Sequence, residues 1–423
     1  MNKNTISEKS IAEREECGSA GQHQGAVMKK AWPTQTMQSL CEDVNVGHVG
    51  PSSMHRDPNG ISFLMGKNVG TGVIYTHNIE RVTEAFHRSQ PKSRLRSGDI
   101  VVVRIGKSGQ AAKIPEGFGE ANCSGLVVIK QPHGIHPDFL VYYLNSPIGR
   151  GYSLSQARGS TRLTLNTSSV AETLVPAPPL AEQQRIVGLL DEAFEGLATA
   201  KANAEKNLQN ARALFESHLQ SVFTQRGPGW VEKPLGEVCV VKDGTHDSPK
   251  YVADGIPFVT QKNIREDGLS FEKTKFISQV DHDDFYRRSN AAHGDILISM
   301  IGANRGMACI VDDERTFSIK NVGLVKQNPS INQEFLLYFL KSPQAASFVK
   351  GASKGGAQEF VGLTELRRFP VPLPSLELQN AFAETFQSLR AETQRLARLY
   401  ESKLTALAAL KKSLLHQAFT GQL

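Results

Sequence analysis

The chain is written twice. Gly60-Ile61-Ser62-Phe63-Leu64 returns as Gly255-Ile256-Pro257-Phe258-Val259, and at the same offset Lys67-Asn68-Val69 returns as Lys262-Asn263-Ile264. One residue further out of step, Gly98-Asp99-Ile100 meets Gly294-Asp295-Ile296, and Ile105-Gly106 meets Ile301-Gly302. The correspondence continues through Phe139-Leu140 and Phe335-Leu336, Gln183 and Gln379, and Phe223 and Phe419. An offset held across almost all of 423 residues marks a tandem duplication, so both halves must solve the same folding problem with one module.

Each module has two parts. The first is rich in glycine and short β-branched runs, such as Ile100-Val101-Val102-Val103 and Ile296-Leu297-Ile298, which read as buried strands. A short helix is expected near Phe139–Leu144 and Phe335–Leu340, which makes each first part a mixed α/β (α+β) head of ordinary domain size. Proline clusters at Pro176–Pro179 and Pro370–Pro374 then stop that structure.

The second parts read as long helices of about 44 residues, roughly 65 Å each at 1.5 Å per residue. A stripe in four- and three-residue steps runs through Leu190, Phe194, Leu197, Ala204, Leu208, Ala211, Phe215 and Val222 in the first, with Lys201 and His218 interrupting it. Phe382, Phe386, Leu389, Leu396, Tyr400, Leu407, Leu410 and Leu414 form the stripe of the second. Such a stripe needs a covering helix, and each helix has its own repeat to hand. The alternative is two unrelated helices, each lying on its own head. The expected architecture is two tandem heads joined by two long antiparallel coiled-coil helices, related by a pseudo-two-fold axis. The boundaries read as a disordered extension over 1–31, heads over 32–175 and 226–371, and spacer helices over 176–225 and 372–423. Met28 is an alternative start.

A net charge of +6 and a pI near 8.9 suit a nucleic-acid partner without demanding one. Five scattered cysteines, none in a CxxC pair, argue against a disulfide framework or zinc site. There is no apolar run of the roughly 18–20 residues that span a bilayer, and the polar first residues lack the centre of a signal peptide. A cytoplasmic protein is expected. No GxxxxGK[ST] phosphate loop and no adenine-methylating Asn/Asp-Pro-Pro-Tyr/Phe motif occurs, Asn328-Pro329-Ser330-Ile331 being the nearest approach. Catalysis is therefore not expected, nor is a metal or cofactor on this chain. Two heads on a long spacer suit a linear ligand with repeated grooves, such as duplex DNA with its groove period of about 34–36 Å.

Particular segments carry a closer resemblance. Leu235-Gly236-Glu237-Val238, Asp243-Gly244-Thr245-His246-Asp247-Ser248-Pro249, Gly294-Asp295-Ile296-Leu297 and the run Val175-Pro176-Ala177-Pro178-Pro179-Leu180-Ala181-Glu182-Gln183-Gln184-Arg185-Ile186 resemble the specificity (S) subunits of type I restriction–modification systems. The resemblance extends over about 32–423. The first head departs from it, with Gly47-His48-Val49-Gly50-Pro51-Ser52 in place of the Gly-Thr-His-x-Ser-Pro run. The resemblance implies a non-catalytic subunit whose two target-recognition heads read the halves of an asymmetric, bipartite double-stranded DNA site. It also implies docking of two methyltransferase (M) subunits and, through them, restriction/motor (R) subunits, with S-adenosylmethionine, ATP and Mg held by those partners. The rivals are a fused restriction–methylation enzyme, for which the repeats leave no room, and a purely structural scaffold.

Candidate DNA contacts can be chosen by their chemistry. The glycine loops after strands, with Arg104, Lys107 and Ser108 in one half and Arg305 in the other, allow close approach to phosphate, although a hairpin turn with an incidental cation would look the same. Lys67-Asn68 and Lys262-Asn263 could pair with bases. Two heads reading different sequences should differ at base contacts, however, so these repeated residues fit a structural or phosphate role better. Unrepeated polar segments carry His87 and Arg88, and Arg287 and Arg288. Thr245, His246 and Ser248 form a polar turn, and Arg162 and Gln358 sit in basic segments before the helices.

Overall fold

The computed structural model describes residues 32–155, 164–353 and 359–423. The expectations for residues 1–31, for Arg162 and for Gln358 fall outside the described residues. The chain divides into two compact units, Met1–Ala200 with Ala406–Leu423, and Lys201–Thr405.

In the first unit, Ile100–Val103 is buried on both faces and lies between Leu126–Pro132 and Ala111–Lys113, with Cys41–Val46 completing an antiparallel four-stranded sheet. The period of two explains why this run is continuously apolar. Ile100 and Val102 pack beneath the helix Pro137–Asn145 with Phe139 and Leu140, while Val101 and Val103 face Leu64, Ala121 and Cys123. The latter residues belong to a second sheet, in which Arg56–Leu64 pairs antiparallel with Glu80–Val82 and parallel with Ala121–Cys123. The second unit repeats the plan. Ile296–Ser299 sits between Val322–Val325 and Ala308–Ile310, with Val241–Asp243 outermost. Ile256–Thr260 is flanked by Lys275–Ile277 and, in parallel, by Ser318–Lys320.

The repeat extends to buried polar frames. Asp99 accepts Lys130 Nζ at 2.9 Å together with the backbone N–H groups of Arg96 and Gln131. Asp295 accepts Lys326 Nζ at 2.5 Å and the N–H groups of Ala292 and Gln327. Gly98 and Gly294, which precede these aspartates, take φ of 87° and 81°, a left-handed turn that favours glycine. Gly125 and Asn321 share another left-handed position, at 69° and 52°.

The prolines do not simply end the heads. Leu174–Pro176 pairs antiparallel with Thr34–Thr36, and Pro370–Leu373 pairs with Val231–Pro234. A two-stranded ribbon consists only of edges, so a residue without an N–H is tolerated there.

The long helices are Leu180–Gln225 and Leu376–Phe419. In the first unit their segments run antiparallel. Arg185 donates to the Leu423 carbonyl at 3.0 Å, Lys411 lies 4.6 Å from the Phe194 ring centre, and Leu190 packs with Leu415 and Phe419. In the second unit Arg212 pairs with Glu401 at 2.7 Å, while Phe223 and Phe386 approach to 5.7 Å, again antiparallel. Leu190 and Phe386 are buried, whereas Leu197, Leu208, Phe215, Leu389, Leu396, Leu407 and Leu414 are half-buried. Two expectations about the stripe are corrected. Lys201 is not in the seam: it is exposed beside Glu205, while the seam runs, as the spacing predicts, through the small side chains of Ala204 and Ala211. Leu410 is exposed as well. His218 does sit at the seam, edge-on to Phe386 at 5.8 Å.

Candidate nucleic-acid interface

The turn Gln261–Asn263 closes the strand Ile256–Thr260 in the second unit. Asn263 Oδ1 accepts the Thr260 N–H at 2.8 Å, and its amide donates to the Ser270 carbonyl at 2.9 Å. With the asparagine locked inward, neighbouring Lys262 projects into solvent. It borders a groove of 530 Å³ shared with Arg265, Lys273, Lys275 and Lys320, in which Glu272 is the only carboxylate among the described residues. Lys275 Nζ lies 4.1 Å from the centre of the Tyr251 ring, Arg265 pairs with Glu272 at 2.9 Å, and Lys320 donates to Ser248 Oγ at 2.6 Å. Such a strip of cations beside a half-exposed aromatic ring can hold a phosphate backbone and present a flat face to a base.

Next to the groove, buried Asp243 organises two side chains. Its Oδ1 accepts two bonds from Arg288, at 2.7 and 3.0 Å, and its Oδ2 lies 3.2 Å from His246 Nε2. His246 Nδ1 is 2.6 Å from Asn321 Oδ1. The imidazole and guanidinium are thereby held at the surface in fixed directions. Among the described residues no His/Cys/Asp/Glu group has the arrangement of a metal site.

The corresponding place in the first unit has the same backbone and different chemistry. Glu80 stands where the second unit has Lys275, because the two pair with Phe63 and Phe258 at equivalent registers. Glu80 pairs with Arg56 and with Lys67, the latter at 2.5 Å, so one carboxylate is shared between the two cations and offsets part of the charge of each. Ser124 and Gly125 occupy the positions of Lys320 and Asn321.

The structure sorts the sequence candidates. Several are turned inward and corrected on that ground. Asn68 and Asn263 are 2 % and 6 % exposed, and each serves as the lock of its turn. His87 is buried and bonds Asn122, Thr245 is buried, and Ser108 is buried with its hydroxyl on the Arg104 carbonyl. Arg104 donates to the Leu165 carbonyl at 2.9 Å. Arg305 is spent on Ser353, the Gly302 carbonyl and Glu359, so its loop is braced as a turn. Lys67, Arg88, Lys107, His246, Ser248, Lys262, Arg287 and Arg288 are exposed, with Arg88 beside Glu84 and Arg287 beside Asp284. Among these, Lys262 lines the groove and Ser248 touches it through Lys320. Tyr251, Arg265, Lys273, Lys275 and Lys320 were not singled out from sequence. The usable signal was the mismatch between repeats, above all Lys275 against Glu80.

The chain matches the family model described as "Type I restriction modification DNA specificity domain" over residues 43–208 and again over 228–401. It is 24% identical to the Type I restriction enzyme EcoBI specificity subunit of Escherichia coli over 61% of this chain and 60% of that one, so the match spans less than two thirds of that relative. It is 24% identical to the MjaVIII specificity subunit of Methanocaldococcus jannaschii, over 71% of this chain and 73% of the relative. Among solved structures, a chain from a study of complex assembly and conformational transition of the type I R-M system aligns with a TM-score of 0.72 at 20% identity, covering 94% of this chain and all of that one. The HsdS subunit from Thermoanaerobacter tengcongensis aligns at 0.63 and 20% identity, over 95% and 99%. At such identities these two likenesses establish the fold.

Proposed function

Because this chain belongs to the family of type I restriction–modification DNA specificity domains, we propose that it reads a bipartite, asymmetric double-stranded DNA site, one half with each head. In this reading it scaffolds two M subunits and, through them, R subunits. It makes no covalent change to DNA itself, and S-adenosylmethionine, ATP and Mg belong to the partners. The heads correspond to 32–175 and 226–371, and the spacers to 176–225 and 372–423, acting in the cytoplasm.

The observation that carries the reading is a contrast between the repeats. Their buried frames coincide at Asp99–Lys130 and Asp295–Lys326, while their surfaces beside the central strand differ in charge at Glu80 and Lys275. A shared interior with divergent contact residues is what two readers of unlike sequences require, since positions that specify bases must differ while the scaffold need not. In the second head, Lys262, Arg265, Lys273, Lys275 and Lys320 are assigned to the DNA backbone, with Tyr251, His246 and Arg288 directed at bases.

Exchanging residues 37–175 for the corresponding head of a relative tests the reading, with methylated adenines mapped in cells that supply the M subunit. One half of the methylated sequence should change and the other should stay. A change in both halves, or in neither, would overturn it.

A further inference from the structure

Within the second unit a cleft of 920 Å³ opens where the head meets the paired helices. The first unit has the same feature at the same place, with only 210 Å³ of space. The two correspond residue by residue: Thr71 to Glu266, Tyr142 to Tyr338, Asn145 to Lys341, Phe194 to Arg390, Lys411 to Phe215 and Leu415 to Leu219.

Four of these exchanges change the chemistry, and two of them bring cations into the second cleft. In the first unit the Phe194 ring fills the space, packed edge-on to Tyr142 at 5.5 Å and capped by Lys411 at 4.6 Å. In the second unit Arg390 replaces that ring and Lys341 replaces Asn145, so two cations converge where an apolar plug stood. Both donate to a single acceptor, the Glu266 carbonyl, each at 3.1 Å. Neither is ion-paired to a carboxylate among the described residues. Burial and the nearby Arg390 charge push the Lys341 amine below its usual range, and the carboxylates of Glu266 and Glu334 do not offset this. The cleft is also lined by the apolar side chains of Phe215, Leu219, Met307 and Val349, and by the carboxylates of Glu216, Glu266 and Glu359, the last of them paired with Arg305.

Two half-buried cations that repel one another and meet neutral acceptors, the Glu266 carbonyl they share and the Tyr338 hydroxyl beside Arg390, form an electrostatically incomplete arrangement, which an anion would complete. The volume falls within the range of small-molecule sites, about 300–1,000 Å³. We propose that this cleft binds a small organic anion, with a phosphate or carboxylate on Lys341 and Arg390 and an apolar body against Phe215 and Met307. The inference does not rest on the DNA-specificity reading.

The test uses the full chain and three probes in calorimetric titration: phenyl phosphate, benzoate and inorganic phosphate. Phenyl phosphate should bind saturably at one site per chain, benzoate more weakly because it carries less charge, and inorganic phosphate at least ten-fold more weakly for want of an apolar body. Lys341→Asn, which imports the first unit's residue and leaves the cleft open, should weaken phenyl phosphate at least ten-fold. Lys341→Asn with Arg390→Phe should abolish binding by rebuilding the plug. Lys262→Ala with Lys320→Ala, in the separate groove, should leave it unchanged. The proposal is overturned if neither organic anion saturates at millimolar concentration, or if inorganic phosphate binds as tightly as phenyl phosphate. It is equally overturned if Lys341→Asn binds as the parent does, or if duplex DNA displaces the probe, which would assign these cations to a nucleic-acid backbone.

Discussion

Gln379 ties the second head to the start of its long helix: buried, it accepts the backbone N–H of Asn332 through Oε1 at 3.0 Å and donates to the Pro374 carbonyl at 3.0 Å. Gln183 repeats both bonds in the first unit, to His136 at 2.7 Å and Pro178 at 2.8 Å. One side chain thus satisfies the first turn of the head helix and the proline-rich approach to the long helix together. Gln379→Leu keeps the volume but leaves the Asn332 N–H and Pro374 carbonyl buried without partners. It should destabilise the chain by about 1–3 kcal/mol, read as a lower urea midpoint with unchanged slope.

The Asp295–Lys326 pair is more demanding. Lys326 also donates to the Asn290 carbonyl, and Asp295 holds two backbone N–H groups. Asp295→Ala strands a largely buried ammonium, and removing one partner of such a pair costs about 3–5 kcal/mol. A large fall in melting temperature is expected. The apolar exchange of both residues, Asp295→Leu with Lys326→Met, should lose less than the single variant.

The groove cations should act through counterion release. Lys273→Ala and Lys320→Ala, measured in the assembled methyltransferase on a cognate duplex, should each lower the slope of log K against log salt by roughly 0.9. Lys67→Ala in the first head should change the slope less, since Glu80 already offsets part of that charge. Equal effects from all three would contradict the assignment of the groove.

His282 predicts an acid limb in stability. It is buried against Ser318, whose Oγ lies 2.8 Å from Nδ1, and burial lowers its pKa below the ordinary value of about 6.5. The folded state therefore favours the neutral ring. Its contribution is fully present above pH ~6.5, and it is lost as pH falls below that value, because the unfolded chain binds the proton first. His282→Gln should flatten the decline in melting temperature between pH 7 and 5.

Burial raises the thiol pKa to about 11 at Cys41 and Cys239, and to about 12 at Cys123 and Cys309. In a Cys17→Ser background, the native chain at pH 8 should not react with Ellman's reagent, and four thiols should titrate on unfolding.

The duplication is legible in the chain itself, and with it the two heads, the two long helices, and the buried strands at Ile100–Val103 and Ile296–Ser299. These depend on period and on repeated identity, which a linear chain displays. Repetition also marked Gln183, Gln379, Asp99 and Asp295, and all four prove to be buried polar anchors. Which candidates face solvent was decided by the tertiary fold. Lys67-Asn68 and Lys262-Asn263 look alike on paper, yet in each the asparagine locks a turn from inside while the lysine projects outward. Whether that lysine is free depends on residue 80 or 275 across the strand pair. The spacing marks Ala204 as part of the seam, but the turning of Lys201 out of it was likewise settled by three-dimensional packing. A common cause underlies these cases: burial and charge pairing are properties of neighbours in space, and the neighbours that matter here are 13 residues away for Lys67 and Glu80, and 47 for the Asn332–Gln379 bond at the helix start.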